Sequence, residues 1–199
     1  MSGASRSRRV GVILAAGRGT RMGGRKQLTP WPGTDGSKPL VAASFDAIRP
    51  ICDEMVVVVG HLAEAVIAAL GERPFHRVDS DPDAPMYESI RAGLRAVLDL
   101  DSGATAVVQP GDHPEVGLNT LQMLTGWSLK RPAEAIIPQH ADCGGHPVLI
   151  PSHICRTLIE ADCPRGLGQF WLDHPELCHR VPVDDATVAR DIDTPADLR

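Results

Sequence analysis

Residues 14–28 read LAAGRGTRMGGRKQL, in which Gly17, Gly19, Gly23 and Gly24 are interleaved with Arg18, Arg21, Arg25 and Lys26. Glycines let a backbone bend tightly and turn successive amides toward one point, while the cations add positive charge there. That combination suits a polyphosphate. A glycine-rich turn with solvated arginines accounts for the glycines, but not for four cations placed directly after the apolar run at residues 10–14. A P-loop needs GK followed by Ser or Thr, yet Gly24 is followed by Arg25 and Lys26 by Gln27. A dinucleotide fingerprint begun at Gly17 needs a third glycine where Met22 stands. Both patterns fail.

A second group with chemical potential is QPGDHP, residues 109–114, which puts Asp112 just past the apolar run at 105–108. A carboxylate beside a phosphate-binding loop can hold a hard cation such as Mg²⁺, which takes oxygen ligands and bridges phosphates. Taken alone, GD before proline is equally an ordinary turn. His140, Cys143, His146 and His153 crowd one stretch, but their spacings match no familiar zinc pattern. The five cysteines form no CxxC pair, and their odd number argues against a disulfide framework, which fits reduced thiols in a cytoplasmic protein.

The elements that must position these groups follow from periodicity. Residues 10–14, 55–59 and 105–108 are almost wholly apolar, as strands covered on both faces must be, and are expected at the centre of a sheet. Val41, Phe45 and Ile48 recur at helical spacing, as do Leu62, Val66 and Leu70, and Ile90, Leu94, Val97 and Leu98. Further strands are expected at 135–137, 148–150 and 180–183, with helices from Leu118 and near 154–160 and 168–173. The alternation predicts an α/β fold in three layers, a mostly parallel twisted sheet with helices on both faces. At 199 residues and 43% hydrophobic content the chain is expected to form one domain, residues 10–199, behind a flexible tail, residues 1–9. Within that tail Arg6, Arg8 and Arg9 read as a solvated run or an anion-binding arm. Net charge is mildly negative and no apolar run reaches the roughly 20 residues that cross a bilayer, so neither nucleic acid nor membrane is expected as a partner.

LAAGRGTRMGGRKQL resembles the signature of the MobA-like NTP transferases. The resemblance extends through GDHP at residues 111–114, GGHPV at 144–148 and DIDTP at 191–195, with a weaker match at DPDAPMYESIRAGL, residues 81–94. It implies a Rossmann-like nucleotidyltransferase fold, also called the nucleotide-diphospho-sugar transferase fold. It further implies that Arg21 and Lys26 contact phosphate oxygens as catalytic cations with Asp112, and that nucleotide binding falls to Leu14, Ala15, Ala16, Gly17, Arg18, Gly19 and Ser89. By the same resemblance Asp112 and Asp193 hold Mg²⁺, with Asp191 as the alternative to Asp193, and His146 borders the acceptor; His113, beside Asp112, faces either the acceptor or solvent. Thr194 and Pro195 are also accounted for as a helix cap and a first-turn proline. Three departures stand out. Asp81 replaces the usual Asn and Pro85 the usual Gly, His113 occupies a position more often apolar or amide-bearing, and ADCPRGLGQF replaces a GDxGxR-like stretch, whose arginine is either displaced to Arg165 or replaced by Gln169.

The activity so implied is Mg²⁺-dependent transfer of a nucleoside monophosphate from an NTP to a phosphorylated acceptor, with release of pyrophosphate. Molybdopterin is the favoured acceptor, and the LAAG spelling favours CTP over GTP as donor. A sugar- or polyol-phosphate acceptor is the alternative within that class. A different class is a non-catalytic escort that binds molybdenum cofactor and delivers it to a molybdoenzyme client.

Overall fold

The computed structural model describes residues 7–32, 36–194 and 197, without the side chain of Arg21. Gly33, Thr34, Asp35, Arg6 and Pro195 lie outside the described residues. The chain opens with β1 (Arg9–Ala15) and a short antiparallel hairpin, β2 (Pro30–Trp31) and β3 (Lys38–Pro39). Then follow α1 (Leu40–Ile48), β4 (Glu54–Val59), α2 (Ala63–Leu70), β5 (His76–Asp79), α3 (Met86–Leu100) and β6 (Thr105–Pro110). The second half contributes α4 (Leu118–Lys130), β7 (Ala135–His140), β8 (Cys143–Gly144) and β9 (Val148–Ile150). It ends with α5 (Ser152–Glu160), α6 (Gly166–Asp173) and β10 (Cys178–Pro182).

The main sheet runs in the order β10-β7-β9-β6-β1-β4-β5, with β8 paired to β7. β1 is parallel to both β4 and β6, β4 to β5 and β10 to β7, whereas β9 runs antiparallel between β6 and β7. The three apolar runs therefore sit side by side inside the sheet, where burial on both faces demands their composition. Two cores result, one per face. Val12, Val58, Ile90, Leu94, Leu158 and Trp171 join the sheet to α3, α5 and α6. On the other face Ile13, Phe45, Val57, Leu70, Leu121 and Ile136 join it to α1, α2 and α4. α3 rests on the sheet through Gly93, where a Cβ would stand 2.5 Å from Cγ1 of Val12.

One expectation is corrected, and one strand is added. Arg9 begins β1 and its Nε donates to the Ile51 carbonyl at 2.6 Å, so it belongs to the sheet rather than to a solvated tail, while Arg8 just before it is exposed and pairs with Glu54 at 2.5 Å. β5, with sequence HRVD, was not anticipated because an exposed edge strand lacks an apolar run. No helix among the described residues is long and apolar enough to cross a membrane.

Candidate active site

The parallel strands β1, β6 and β7 all end at one rim, and the chain segments that carry chemistry leave from it. After β1 the loop is held narrow by the Gln27 side chain, whose Nε2 donates to the Gly17 carbonyl at 2.8 Å. Gly19 adopts a φ of 54°, and a Cβ there would lie 2.6 Å from Cβ of Lys26. Glycine is thus what allows the loop to fold back over the lysine.

Lys26, placed in this way, is only 8% exposed. Its Nζ lies 2.5 Å from Oδ2 of Asp112 and 2.5 Å from Oδ1 of Asp193. Burial opposes the ammonium charge most strongly, but the two carboxylates outweigh it and hold the Lys26 pKa above the usual lysine range. Asp112 is carried by the turn after β6, where the Gly111 amide donates to the Leu14 carbonyl at 2.9 Å. The Ile192 amide donates to the Asp112 carbonyl at 3.3 Å, which draws the segment 191–193 against the same turn.

Asp191 arrives on that segment too. Its carboxylate meets Nε2 of His113, and this bond, working against burial, pulls the Asp191 pKa below the ordinary carboxylate range. Donor atoms of Asp112, His113 and Asp191 lie within 4.8 Å of one another. His113 itself is 1% exposed, sits behind the acidic cluster and is absent from the cleft wall. Its ring packs edge-on against His146 at 5.2 Å between centroids, and the Gln109 side chain donates to its carbonyl at 2.7 Å. Burial, then the His113 charge, keeps the His146 pKa down at about 4, so that ring is neutral at pH 7. Oε1 of Gln109 and the Nδ1 atoms of both histidines find no hydrogen-bond partner among the described residues.

Do these groups suit a divalent cation? An ammonium already bridges Asp112 and Asp193, which demonstrates room and potential for positive charge at that point. Asp112 and Asp191, with the His113 ring, present donor atoms close enough together for one ion, and Asp193 joins Asp112 through the Lys26 ammonium; carboxylate oxygens are the donors that Mg²⁺ and Mn²⁺ favour. The residues fit.

A cleft of about 920 Å³ opens in front of this cluster, running from Gly17 and Lys26 past Ser89 to His146 and Arg180. Leu14, Ala16 and Gly19 line its wall on the glycine-loop side as well, whereas Ala15 is buried in the core. The Ser89 hydroxyl lies 3.0 Å from that of Ser80. Arg18 is exposed and absent from the cleft wall, and its guanidinium makes two 2.6 Å bonds to the Asp83 carboxylate. The Arg21 side chain lies outside the described atoms. The histidines and cysteine considered for zinc do not converge: His140 bonds the Val183 carbonyl, His153 that of Ala133, and Cys143 is exposed. Sequence reading missed Gln27, Gln109 and Arg180. Gln109 carried a signal, since a glutamine that is wholly buried at the end of an apolar strand needs a polar task.

Comparison with known proteins places the chain in a family and a fold. The family model described as the MobA-like NTP transferase domain matches residues 11–178. The molybdenum cofactor cytidylyltransferase of Escherichia coli is 26% identical over 190 residues, covering 94% of this chain and 92% of that one. The molybdenum cofactor guanylyltransferase of Pseudomonas aeruginosa is 33% identical over 155 residues, covering 75% and 72%. Among solved structures, Rv0371c of Mycobacterium tuberculosis superposes with a TM-score of 0.80 at 27% identity over 97% of both chains. A complex of that protein with manganese gives a TM-score of 0.75 at 26% identity over 97% of both chains.

Proposed function

Since the chain belongs to the MobA-like NTP transferase family and is a nucleotidyltransferase, we propose that it transfers CMP from CTP to the phosphate of molybdopterin and releases pyrophosphate. The observation that carries this reading is the Lys26 ammonium held between Asp112 and Asp193 beside the glycine-rich loop. An oxygen of the acceptor phosphate attacks the α-phosphorus in line, a new P–O bond forms, and the bond to the pyrophosphate oxygen breaks. The attacking phosphate is already anionic near pH 7, so no general base is needed; repulsion between anions is the obstacle. Asp112 and Asp193, with Asp191 beside them, would hold a divalent cation, Mg²⁺ in this reading, which supplies charge neutralisation between donor and acceptor phosphates. The manganese complex of the mycobacterial relative supports a divalent ion in this fold.

The chain's own groups supply the rest. Lys26 and the amides of the loop from Gly17 to Gly19 stabilise the charge that grows on the leaving pyrophosphate, a role that the motif resemblance extends to Arg21. Ser89 and the backbone near Ala16 border the base, and His146, neutral and fixed, borders the acceptor. The double alanine of LAAG supports CTP, and the longer match to the E. coli cytidylyltransferase points the same way. Incubating the protein with each of the four NTPs, Mg²⁺ and molybdopterin or a sugar phosphate, and measuring pyrophosphate, tests the assignment. Release with CTP and molybdopterin is expected. Release confined to GTP moves the donor, and release confined to a sugar phosphate overturns the acceptor.

A further inference from the structure

The end of the cleft away from the glycine loop is mostly apolar, walled by Ile137, Leu167, Trp171 and Leu172. One cation stands there, Arg180 of β10. Strand alternation explains its direction: neighbouring His179 stacks on Trp127 of α4 at 4.6 Å, so Arg180 projects to the opposite face. Its register partner on β7 is Ile137, itself part of the cleft wall.

The guanidinium lies over Gly144 of β8. A Cβ on that residue would be 2.9 Å from Nη1 of Arg180, so the missing side chain is what gives the guanidinium its place. Arg180 is half-buried and, among the described residues, makes neither an ion pair nor a hydrogen bond through its side chain. Asp142 shares the wall without pairing to it. Arg165, the other arginine near this end, is 69% exposed at its side chain and turned outward to Asp173. A half-buried guanidinium with no partner is a cost to the free protein, and proteins keep such groups where a ligand supplies the missing charge. The planar fork matches a phosphate or carboxylate through two parallel hydrogen bonds, and the apolar walls strengthen that attraction.

From this geometry we infer that Arg180 binds an oxyanion of the acceptor and so marks the acceptor's end of the cleft. The inference rests on the nucleotidyltransferase reading and deepens it: the acceptor presents either its reacting phosphate or a second acidic group to Arg180.

Inorganic phosphate is the probe that needs no knowledge of the acceptor. Its binding to the full chain is titrated by ³¹P NMR for wild type, Arg180→Gln, Arg180→Lys and Gly144→Ala, with NTP affinity measured by calorimetry. Phosphate Kd is expected to rise at least fivefold in Arg180→Gln, less in Arg180→Lys, and also in Gly144→Ala, where the charge remains but is displaced. NTP Kd should stay within twofold throughout. Once an acceptor turns over, a raised KM with unchanged kcat in Arg180→Gln identifies a second acidic group, and a fall in kcat identifies the reacting phosphate. Phosphate Kd and acceptor KM both at the wild-type value in a folded Arg180→Gln overturn the inference. The phosphate measurement holds even if molybdopterin proves to be the wrong acceptor, so the two failures are distinguishable.

Discussion

Lys26 has two roles in conflict, one as partner of two carboxylates and one as ligand of phosphate. In the free protein its ammonium stands where positive charge is wanted, between Asp112 and Asp193. Lys26→Met should therefore lower turnover by a hundredfold or more, the scale of losing one charged stabiliser of a developing anion. The same change should tighten Mn²⁺ binding without nucleotide by roughly tenfold, because a competing cation is gone. Manganese titration by electron paramagnetic resonance alongside a pyrophosphate assay checks both directions; unchanged turnover with unchanged Mn²⁺ affinity sinks the shared-site idea. Asp112→Asn addresses the escort reading. An enzyme loses about a hundredfold or more in turnover while its far-ultraviolet circular dichroism is preserved, whereas an escort keeps its cofactor binding nearly intact. Both residues were legible from their motifs. The contact of His113 with Asp191 was not, because 78 positions separate the partners and no local pattern links them.

Helices and strands set the cleft's width, and here the sharpest dependence is on α3. Gly93→Ala would drive a methyl group into Val12, and overpacking of that kind costs typically 1–3 kcal/mol. Urea unfolding should show that loss, and nucleotide affinity should fall with it because Ser89 rides on the same helix. A second joint lies under the hairpin. Asp46 of α1 accepts from Arg73 at 2.7 Å and from Lys38 at 2.7 Å, binding β3, α1 and the end of α2 together. Burial pushes the Asp46 carboxyl upward, but Arg73 and Lys38 outweigh it and leave the pKa below the usual carboxylate range. A depressed folded-state pKa gives stability that is present above the unfolded value near 4 and vanishes as pH falls through the folded one. Asp46→Asn should thus cost about 1 kcal/mol at pH 7, a figure kept small by solvent screening, and progressively less as the pH falls below about 4. Thermal unfolding across that pH range decides it. β1, β4 and β6 could be read from sequence because burial on both faces leaves an apolar signature. β9 could be located, but not its antiparallel direction, since strand polarity depends on distant neighbours.

Across the whole molecule, ligand binding should report on the assembled site. Saturating CTP with Mg²⁺, at about a hundred times Kd, adds roughly 2.7 kcal/mol to stability, or about 5–10 °C in Tm for a chain of this size. Chelation of divalent ions should remove most of that shift, and a shift untouched by chelator contradicts the acidic cluster's role. The layered α/β architecture was readable from alternating periodicities, and the glycine-rich loop from its letters. The arrangement of the cleft's far end was not, because Arg180 and Gly144 meet only through the pairing of β10 and β8 with β7, and Trp171 reaches the same cleft from α6. One consequence concerns synthesis. The bond from Lys26 to Asp193 spans 167 positions, so a nascent chain emerging from the ribosome carries its loop long before the matching carboxylate exists. Such an intermediate offers Lys26 one carboxylate partner, Asp112, and the second arrives only with the segment 191–193.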